Sequence, residues 1–493
     1  MKIGFSTEKY VTAQTEAIKE RVGKFEKLYL EFGGKIITDY HAARVLPGYD
    51  PGSKIKVLQA LEDNVEIIYC VSAKDLQSGK IRQDFELTHD DLALKEIKEL
   101  KEKGLTISGL VITRYEGEKA ATNLKKRAKN LRIPVYTSGE EKEYAKDIGK
   151  TIEFYAKQDR INTTSPVIIV TGTSPGAGKL ATSLTQCYLD NKNGIGTGYA
   201  KLETFPVWNL DLDHPINWAY ESATADLLDY NVVDKFHLKA YKKTAINYNR
   251  DIDAFPTLLE MIKSAVNKNN FVHTYKSPTD MGVNMIKEGI IDDLICRNAA
   301  NQETIRRWFD YREKFHKGLE EEKTLEKMNL ILKKLNLKST DRKVVEEARK
   351  VIRRTNDYPI NYSAAMQLHN EKIITGRNSY LLRAESSLLI NAMKYQAGFN
   401  DDLRVLPENW IHHVQELNTK NFNRQIDGLN ISEMLNILAS SKGENPTAKP
   451  CLDQLLSFKG CQMHLTRMPS SKDKTDLREL GINLTSDVQL SID

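Results

Sequence analysis

The stretch VIIVTGTSPGAGKLATSLTQCYL, Val167 to Leu189, decides the fold of this chain. A run of β-branched residues predicts a buried strand, a glycine-rich turn follows, and apolar residues at helical spacing then predict a helix. Gly176 and Gly178 let backbone N–H groups surround an anion, and Lys179 adds a positive charge at the helix start. This order predicts a phosphate-binding loop, with Ser174 in the same turn as a further contact.

The loop departs from the GxxxxGK[ST] pattern at two positions. Thr173 stands where the first glycine is expected, and Leu180 stands where a hydroxyl residue would bind magnesium. The loop is similar to the divergent loop of formate–tetrahydrofolate ligases, although those enzymes keep hydroxyl residues after the lysine. The alternative is a tight strand–helix turn whose glycines only permit close packing and whose Lys179 is solvated. Both interpretations stay open at this point.

Strands and helices alternate on both sides of this loop. Apolar runs predict further strands at Leu28 to Phe32, Val65 to Ser72, Leu105 to Arg114, Pro134 to Thr137 and Gly198 to Phe205. Charged segments with helical spacing lie between them, so an α/β fold with a mostly parallel sheet covered by helices on both faces is expected. Composition and pattern changes predict three domains, at residues 1–235, 236–355 and 356–493, of which the second is mainly helical.

Composition excludes several classes of protein. The 72 Lys and Arg residues nearly balance 67 Asp and Glu residues, and a net charge of +5 argues against a dedicated nucleic-acid binder. No apolar run approaches the roughly 18 residues that a membrane span needs, and the start MKIGFSTEKY has no signal-peptide core. Five scattered cysteines without a CxxC pair disfavour disulfides and a thiolate zinc site. A cytoplasmic protein is expected.

Charged residues follow several predicted strands, and parallel strands bring their carboxyl ends to one edge of a sheet. Lys201 and Glu203 alternate on one face of the strand after the loop, so both are expected beside the phosphate. Local salt bridges and turns are the alternative for the other charged loops. The further candidates for anion contact or catalysis are Arg114, Arg250, Lys276 and His41, the last as a general acid or base.

A carboxylate and imidazole cluster follows the same strand. Asp211, Asp213 and His214 could ligate Mg²⁺ or Mn²⁺ if the fold brings them together. The alternative is that these loop carboxylates cap the following helix. No metal site is assigned on this pattern.

The chain resembles a family of bacterial cytoplasmic proteins of unestablished function, some of which have been labelled ATP-dependent zinc proteases. The segments that carry the resemblance, in chain order, are LYLEFGGK, DYHAARVLPG, VITRYEG, GYAKLETFPVWNL, NYNRD, KSPTDMGVNM and LGINLT. The chain contains no HExxH, and His412 and His413 begin an HHVQE that lacks the second histidine of HxxEH. We therefore reject peptidase activity.

The C-terminal region, Ser363 to Gln396, looks like the opening of a cytidine-deaminase-like fold, with a hairpin, a turn and an RAE triplet at a helix start. In deaminases the first residue of that triplet ligates zinc, and a PCxxC opens a later helix. Arg383 takes the ligand position here, and Cys451 in the later Pro-Cys pair has no second cysteine three residues on. The resemblance implies that Glu385 has lost its metal and that the domain serves binding or assembly.

The sequence predicts a protein that binds a nucleotide or phosphorylated metabolite around Lys179, with phosphotransfer or ligase-type chemistry and with ATP or another nucleotide and Mg²⁺ as the expected cofactors. The alternative is a non-catalytic ligand-binding or assembly protein in which the loop and the deaminase-like domain are both degenerate. The expected partner is a small anionic or phosphorylated ligand, with neither membrane nor nucleic acid. Catalysis itself and homo-oligomer formation stay open.

Overall fold

A computed structural model describes residues 2–61, 64–79, 81–82, 87–140, 146–353, 362–421 and 428–488. The chain forms two compact units. The N-terminal unit comprises Lys2–Glu221 and Asp229–Ala299, and the C-terminal unit comprises Ser222–Leu228 and Ala300–Asp493. The predicted domain boundaries near residues 235 and 355 stay predictions.

The N-terminal unit alternates strands and helices. Its strands are β1 (Lys27–Phe32), β2 (Val65–Ser72), β3 (Ile81–Arg82), β4 (Leu87–Thr88), β5 (Thr106–Thr113), β6 (Val135–Thr137), β7 (Val167–Gly172), β8 (Thr197–Leu202), β9 (Asn231–Val233) and β10 (Ile246–Tyr248). Its helices are α1 (Thr7–Val22), α2 (Tyr40–Val45), α3 (Ser53–Ala60), α4 (Ala73–Ser78), α5 (His89–Glu102), α6 (Lys119–Asn130), α7 (Ile148–Ala156), α8 (Lys179–Lys192), α9 (Pro215–Ala223), α10 (Lys235–Tyr241), α11 (Asn249–Ser264), α12 (Pro278–Met281) and α13 (Ile286–Gly289).

The central sheet of this unit has six strands in the order β6-β5-β2-β7-β1-β8, and every pairing is parallel. The predicted α/β class and parallel sheet are confirmed. The strand of the quoted stretch, β7, lies between β1 and β2, so its carboxyl end and the loop that follows stand in the middle of the sheet edge. Ligands of open α/β sheets bind at this edge.

Both faces of the sheet are covered by helices, as predicted. On one face Val170 and Tyr199 pack in a core with Leu184 of α8 and Met261 of α11. On the opposite face the hydroxyl of Tyr69 donates to Glu96 of α5. Successive strand residues point to opposite faces, so the mostly apolar sequences of β2 and β7 are explained by burial on both sides.

The segment from Phe236 to Asp253, which shows no clean periodicity in the sequence, contains most of α10, all of β10 and the start of α11. The sequence favours a helix near Pro256 to Val266, whereas α11 begins earlier, at Asn249, and Pro256 lies inside it. Tertiary packing explains the difference: the ring centroids of Phe236 and Phe255 are 4.9 Å apart, and Phe255 is buried. This contact stabilises helical turns that the local sequence does not indicate.

The C-terminal unit contains a second, four-stranded sheet with the order β12-β11-β13-β14. Its strands are β11 (Ser363–Gln367), β12 (Ile373–Arg377), β13 (Gln462–Leu465) and β14 (Asn483–Ser486). The helices from the unit boundary onward are α14 (Asp293–His316), α15 (Glu322–Lys334), α16 (Lys343–Arg353), α17 (Ala384–Gln396), α18 (Glu408–Glu416), α19 (Ile431–Ser440), α20 (Ala448–Leu452) and α21 (Ser471–Glu479).

The predicted strand pair and the helix that follows it are confirmed in the antiparallel β11–β12 hairpin and in α17. The sequence from Leu452 to Phe458 favours a helix, but the chain forms the end of α20 and a 3₁₀ turn, Leu455–Phe458, in this segment. Among the described residues, none of the helices combines the length and the apolar character that a bilayer crossing requires.

Candidate functional site

The loop between β7 and α8 requires the glycine before the lysine. Gly178 has a φ of +84°, and a Cβ at this position would lie 2.7 Å from the Cγ2 atom of Thr113 on β5. The hydroxyl of Thr113 donates to the carbonyl of Ala177 at 2.9 Å. The loop is therefore pressed against the end of β5, and only glycine fits both the backbone conformation and the space.

Lys179 is the first residue of α8 and is only 6% exposed. Its Nζ atom donates to the carbonyl of Ser174 at 3.1 Å, so the side chain folds back over its own loop. A solvated Lys179, the alternative drawn from the sequence, is wrong. The hydroxyl of Ser174 donates to Asp75 of α4 at 2.7 Å, which holds the other side of the loop.

The start of α8 carries no side-chain cap among the described residues, and Gly176 in the loop has open space around its Cα. The first N–H groups of a helix have no partner within the helix and carry its positive dipole end. The loop therefore presents backbone donors beside a buried ammonium group.

Lys201 and Glu203 form a second cluster, on the last residues of β8 and just beyond it. The Nζ atom of Lys201 lies 2.8 Å from Oδ2 of Asp251 on α11 and 3.2 Å from Oε1 of Glu203. Glu31 of β1 is in register with Lys201, and its carboxylate accepts a hydrogen bond from Tyr199 at 2.7 Å. One ammonium group thus stands among three carboxylates.

Burial and the neighbouring charges shift the pKa values of Lys201 and Glu203. Burial lowers the pKa of Lys201, but the carboxylates of Asp251, Glu203 and Glu31 outweigh that effect, and the pKa lies well above its usual value. Burial raises the pKa of Glu203 to about 7, opposed by Lys201 and reinforced by Asp251 and Glu31. Glu203 can therefore take up and release a proton near neutral pH, as a general acid or base must.

A glycine of the FGGK segment makes room for this carboxylate. A Cβ on Gly33, just after β1, would lie 2.5 Å from Cγ of Glu203. The next loop is fixed by Lys54 of α3, which is 1% exposed and donates to the carbonyl of Gly33 at 3.2 Å and to Asp39 at 3.1 Å. The position of Glu203 therefore depends on a glycine and on a buried ion pair.

The loop and the Lys201 cluster are neighbours at the sheet edge. Glu31 pairs in register with Val170 of β7 as well as with Lys201 of β8. Burial raises the pKa of the Cys70 thiol at the end of β2 to about 12, and both Lys179 and Glu31 act on this thiol electrostatically. Glu31 thus lies between the two clusters, and the predicted neighbours Lys179, Lys201 and Glu203 share one edge of the sheet.

The other residues predicted for anion contact or catalysis contact groups outside the Lys179 loop and the Lys201 cluster. Arg114 is exposed after β5, with Nε 3.9 Å from Glu140, and Arg250 is 61% exposed and pairs with Asp229. The rings of Phe205 and Tyr220 pack edge-on against His41 of α2. Lys276 lies with Nζ 5.7 Å from the centre of the Tyr241 ring.

The DxDH segment is not gathered into a metal-binding group. Asp211 and Asp213 are exposed, whereas His214 is buried, with Nε2 2.9 Å from Oδ1 of Asp293. Its Nδ1 atom accepts the backbone N–H of Ile216 at 3.2 Å. In the part of the chain that the structure describes, no three His, Cys, Asp or Glu residues are placed to hold a metal ion.

Three residues of the site were missed in the sequence. Glu31 lies inside the mostly apolar strand β1, and Asp75 lies in α4, directly after β2. Asp251 follows Arg250, the residue of the NYNRD segment that the sequence analysis selected. The available signal was that Glu31 and Asp251 fall in the LYLEFGGK and NYNRD segments. Their contacts with Lys201 arise from strand register and helix placement, which those segments do not specify.

The acidity of Glu203 predicts a pH-dependent stability. The folded protein holds this proton up to about pH 7, while the unfolded chain releases it near the ordinary pKa of 4.5, so the contribution of Glu203 to stability falls as pH rises between these values. Relative to Glu203→Gln, the wild-type free energy of unfolding is expected to fall by about 1–3 kcal/mol over that range. Urea unfolding at several pH values measures it.

The exposed Glu116 supplies the control. Glu116→Gln is expected to keep the wild-type pH profile, because the substitution removes an exposed charge and leaves the cluster around Lys201 unchanged. Parallel profiles for wild type and Glu203→Gln would show that Glu203 titrates as an ordinary carboxyl.

Comparison with known proteins gives the family. The profile of the N-terminal domain of unknown function DUF1846 matches residues 3–336, and that of its C-terminal domain matches residues 340–492. A UPF0371 protein of Clostridium botulinum (strain Eklund 17B / Type B) is 43% identical over 99% of this chain and 98% of its own length, and one of Clostridium tetani is 42% identical over the same shares. The chain therefore belongs to the bacterial DUF1846 family of uncharacterised proteins, as its sequence segments indicated.

Proposed function

We propose that the N-terminal unit binds a small phosphorylated ligand, such as a nucleotide or a sugar phosphate, at the loop from Thr173 to Lys179. The observation that carries the proposal is the position of Lys179, buried under a glycine loop at the uncapped start of a helix of 14 residues. Backbone donors, the helix dipole and a lysine together favour a phosphate over other anions. The ammonium group of Lys179 donates its hydrogen bond to the carbonyl of Ser174, and a phosphate oxygen of the bound ligand would replace that carbonyl as the acceptor.

The neighbouring cluster suits transfer of the phosphoryl group or activation of a carboxylate. Glu203, with a pKa of about 7, accepts a proton from an attacking hydroxyl or amine. Lys201 stays charged and offsets the negative charge that builds up during transfer. Arg114 and Arg250 lie at the periphery and would contact the ligand only after leaving their carboxylate partners.

The residues present do not fit the magnesium site of a P-loop enzyme. Leu180 occupies the hydroxyl position, the hydroxyl of Thr182 accepts from the Cys70 thiol at 3.5 Å, and Ser183 donates to the carbonyl of Lys179 at 2.9 Å. The proposed chemistry therefore relies on Lys179 and Lys201 for phosphate charge, and no step is assigned to a metal ion.

A thermal-shift screen of nucleotides and phosphorylated metabolites, with and without Mg²⁺, tests the proposal. A ligand at 100 times its Kd stabilises the folded state by about 2.7 kcal/mol, which raises the melting temperature measurably. We expect stabilisation by at least one phosphorylated compound and none by its dephosphorylated form. A full screen without a shift would contradict phosphate binding at the loop.

A non-catalytic ligand sensor is the second candidate. It is favoured by the number of carboxylates around Lys201, which compete with a phosphate for the same ammonium group. The compound found in the screen distinguishes the two functions. Turnover of its phosphate bond, followed by ³¹P NMR with candidate acceptors, supports the enzyme, and stable binding without turnover supports the sensor.

For the C-terminal unit the proposal is a deaminase-like fold that serves binding or assembly without zinc. The hairpin β11–β12, the start of α17 at Ala384 and the parallel pairing of β13 and β14 support it. Arg383 is bonded through Nη1 to Oδ2 of the fully buried Asp473 at 2.8 Å. Cys451 lies in the apolar core of the unit, ahead of β13, and is not available as a ligand.

Replacing Arg383 by Ala is expected to destabilise the C-terminal unit by about 1–3 kcal/mol, because the Asp473 carboxylate loses the partner that compensates its burial. Urea unfolding measures the change. The matched control is Arg404→Ala, since Arg404 is exposed and pairs with the surface residue Glu408. Equal stabilities of the two variants would show that the Arg383 pair contributes nothing.

A further inference from the structure

A cavity of about 330 Å³ lies beside the outer strand β8 of the N-terminal unit, away from the phosphate loop. Its wall is tied to the sheet: the backbone N–H of Val283 donates to the carbonyl of Lys201 at 3.1 Å, and the hydroxyl of Tyr275 donates to the carbonyl of Tyr199 at 2.9 Å. This volume falls within the range of small-molecule pockets, about 300–1,000 Å³. The cavity is therefore a formed feature of the fold.

The walls of the cavity combine flat aromatic surfaces with polar and charged side chains. Trp208, Phe271, Tyr275, Tyr241 and His237 line it. The indole N–H of Trp208 donates to the carbonyl of Asn284 at 2.9 Å, which fixes the ring. Aromatic faces of this kind bind planar rings by stacking and edge contacts.

Arg21 brings a positive charge to the cavity wall. Arg21, at the end of α1, donates to the Tyr275 hydroxyl at 3.0 Å and to the Gly282 carbonyl at 3.3 Å. Within the described ranges no carboxylate forms an ion pair with Arg21, and further guanidinium N–H donors remain for a ligand.

Asp280, the acidic residue in the cavity wall, already accepts hydrogen bonds from the protein itself. Oδ2 of Asp280 accepts hydrogen bonds from the backbone N–H groups of Lys276 and Ser277 and from the hydroxyl of Tyr241, at 2.8, 3.1 and 2.9 Å. His237 bonds through Nδ1 to the hydroxyl of Ser277 at 3.1 Å. These bonds hold one oxygen of the Asp280 carboxylate in the wall, and the other oxygen lies 3.9 Å from Nδ1 of His237, whereas Arg21 keeps guanidinium donors for an oxyanion.

We propose that this cavity is a second binding site, which takes a small molecule that joins a planar ring to a carboxylate or phosphate, with the anion on Arg21 and the ring against Trp208. Arginine binds such oxyanions in a forked, two-bond geometry. The site is independent of the phosphate loop, because none of its lining residues belongs to that loop.

Tryptophan fluorescence tests the site directly, since Trp208 is one of four tryptophans and the only one on the cavity wall. The probes are phenyl phosphate, benzoate, benzylamine and inorganic phosphate, titrated into the full-length protein. We expect phenyl phosphate or benzoate to change the emission in a saturable way, and Trp208→Phe to remove that change. Benzylamine and inorganic phosphate are expected to leave the emission unchanged.

Variants of Arg21 test whether this residue binds the anionic group of the probe. Arg21→Gln is expected to weaken probe binding at least about tenfold, because charge-assisted hydrogen bonds are lost, and Arg21→Lys to weaken it less. Lys19→Gln, an exposed charge loss on the same helix turn, and Lys179→Ala, at the phosphate loop, are expected to bind as wild type. Melting temperatures of the free variants verify folding.

Several outcomes would overturn the proposal. They are the absence of saturable binding by either aromatic anion, equal affinity in Arg21→Gln, and binding of benzylamine as tight as that of benzoate. A loss of probe binding in Lys179→Ala would place the signal at the phosphate loop and would also overturn the second site. If Lys179→Ala loses only the ligand found by thermal shift, both sites stand and are separate.

Discussion

Lys179→Ala is expected to weaken binding of the phosphorylated ligand by about 10- to 100-fold, because a hydrogen bond between charged groups contributes about 1.5–3 kcal/mol. The buried position of Lys179 limits screening by solvent, so the loss should persist at physiological salt. Isothermal titration with the compound identified by thermal shift measures the change in Kd. The variant should remain folded, since the hydrogen bond of the lysine goes to a loop carbonyl and Lys179 forms no ion pair among the described residues.

Lys192→Ala provides the matched control for this loss. Lys192 is exposed at the opposite end of α8, so its removal takes away the same charge without touching the loop. We expect its Kd to equal that of the wild type within about twofold. Unchanged affinity in Lys179→Ala, or an equal loss in both variants, would show that Lys179 does not contact the phosphate.

Asp190→Ala is expected to lower the free energy of unfolding by about 3–5 kcal/mol, the largest stability effect in the N-terminal unit that we foresee. Asp190 is completely buried near the end of α8. Its carboxylate lies 2.9 Å from Nζ of Lys27, 2.8 Å from the Tyr29 hydroxyl and 2.5 Å from Nε of Arg160. Removal leaves the Lys27 ammonium group buried without a carboxylate, and the charge is then uncompensated.

Urea unfolding followed by circular dichroism measures this effect, with Asp213→Ala as control because Asp213 is exposed in a loop. The control is expected to change stability by less than about 0.5 kcal/mol. A loss in Asp190→Ala as small as that of the control would show that the buried pair does not stabilise the sheet. Asp190 anchors one end of α8 while the other end carries Lys179, so the two variants separate folding from binding.

Local sequence was sufficient for the sheet and for part of its edge. The strands β2 and β7 are mostly apolar because helices cover both faces of the sheet, and such runs are recognisable from the local sequence alone. The alternation of Lys201 and Glu203 follows from the two-residue period of a strand, which places both side chains on one face. Gly178 and Lys179 were identified because a strand, a glycine turn and a helix start follow one another in the local sequence, whether the turn binds phosphate or only permits close packing.

The carboxylates that surround Lys201 could not be predicted from the local sequence. Glu31 meets Lys201 only because β1 lies between β7 and β8, and Asp251 reaches the same ammonium group only because α11 begins beside β8. Strand order and helix placement depend on packing among residues far apart in the chain. The course of α11 through Pro256 has the same origin, since the buried ring of Phe255 stabilises it.

The sequence by itself determined the α/β class, the strands of the parallel sheet and a loop with Lys179 at its centre, because these follow from periodicities of a few residues. The tertiary structure alone decided that Lys179 is buried, that Glu203 has a pKa of about 7 and that Arg21 faces an aromatic cavity. Burial and electrostatic environment are sums over neighbours brought together by the fold. No local pattern contains those neighbours, and the chemistry of the site depends on them.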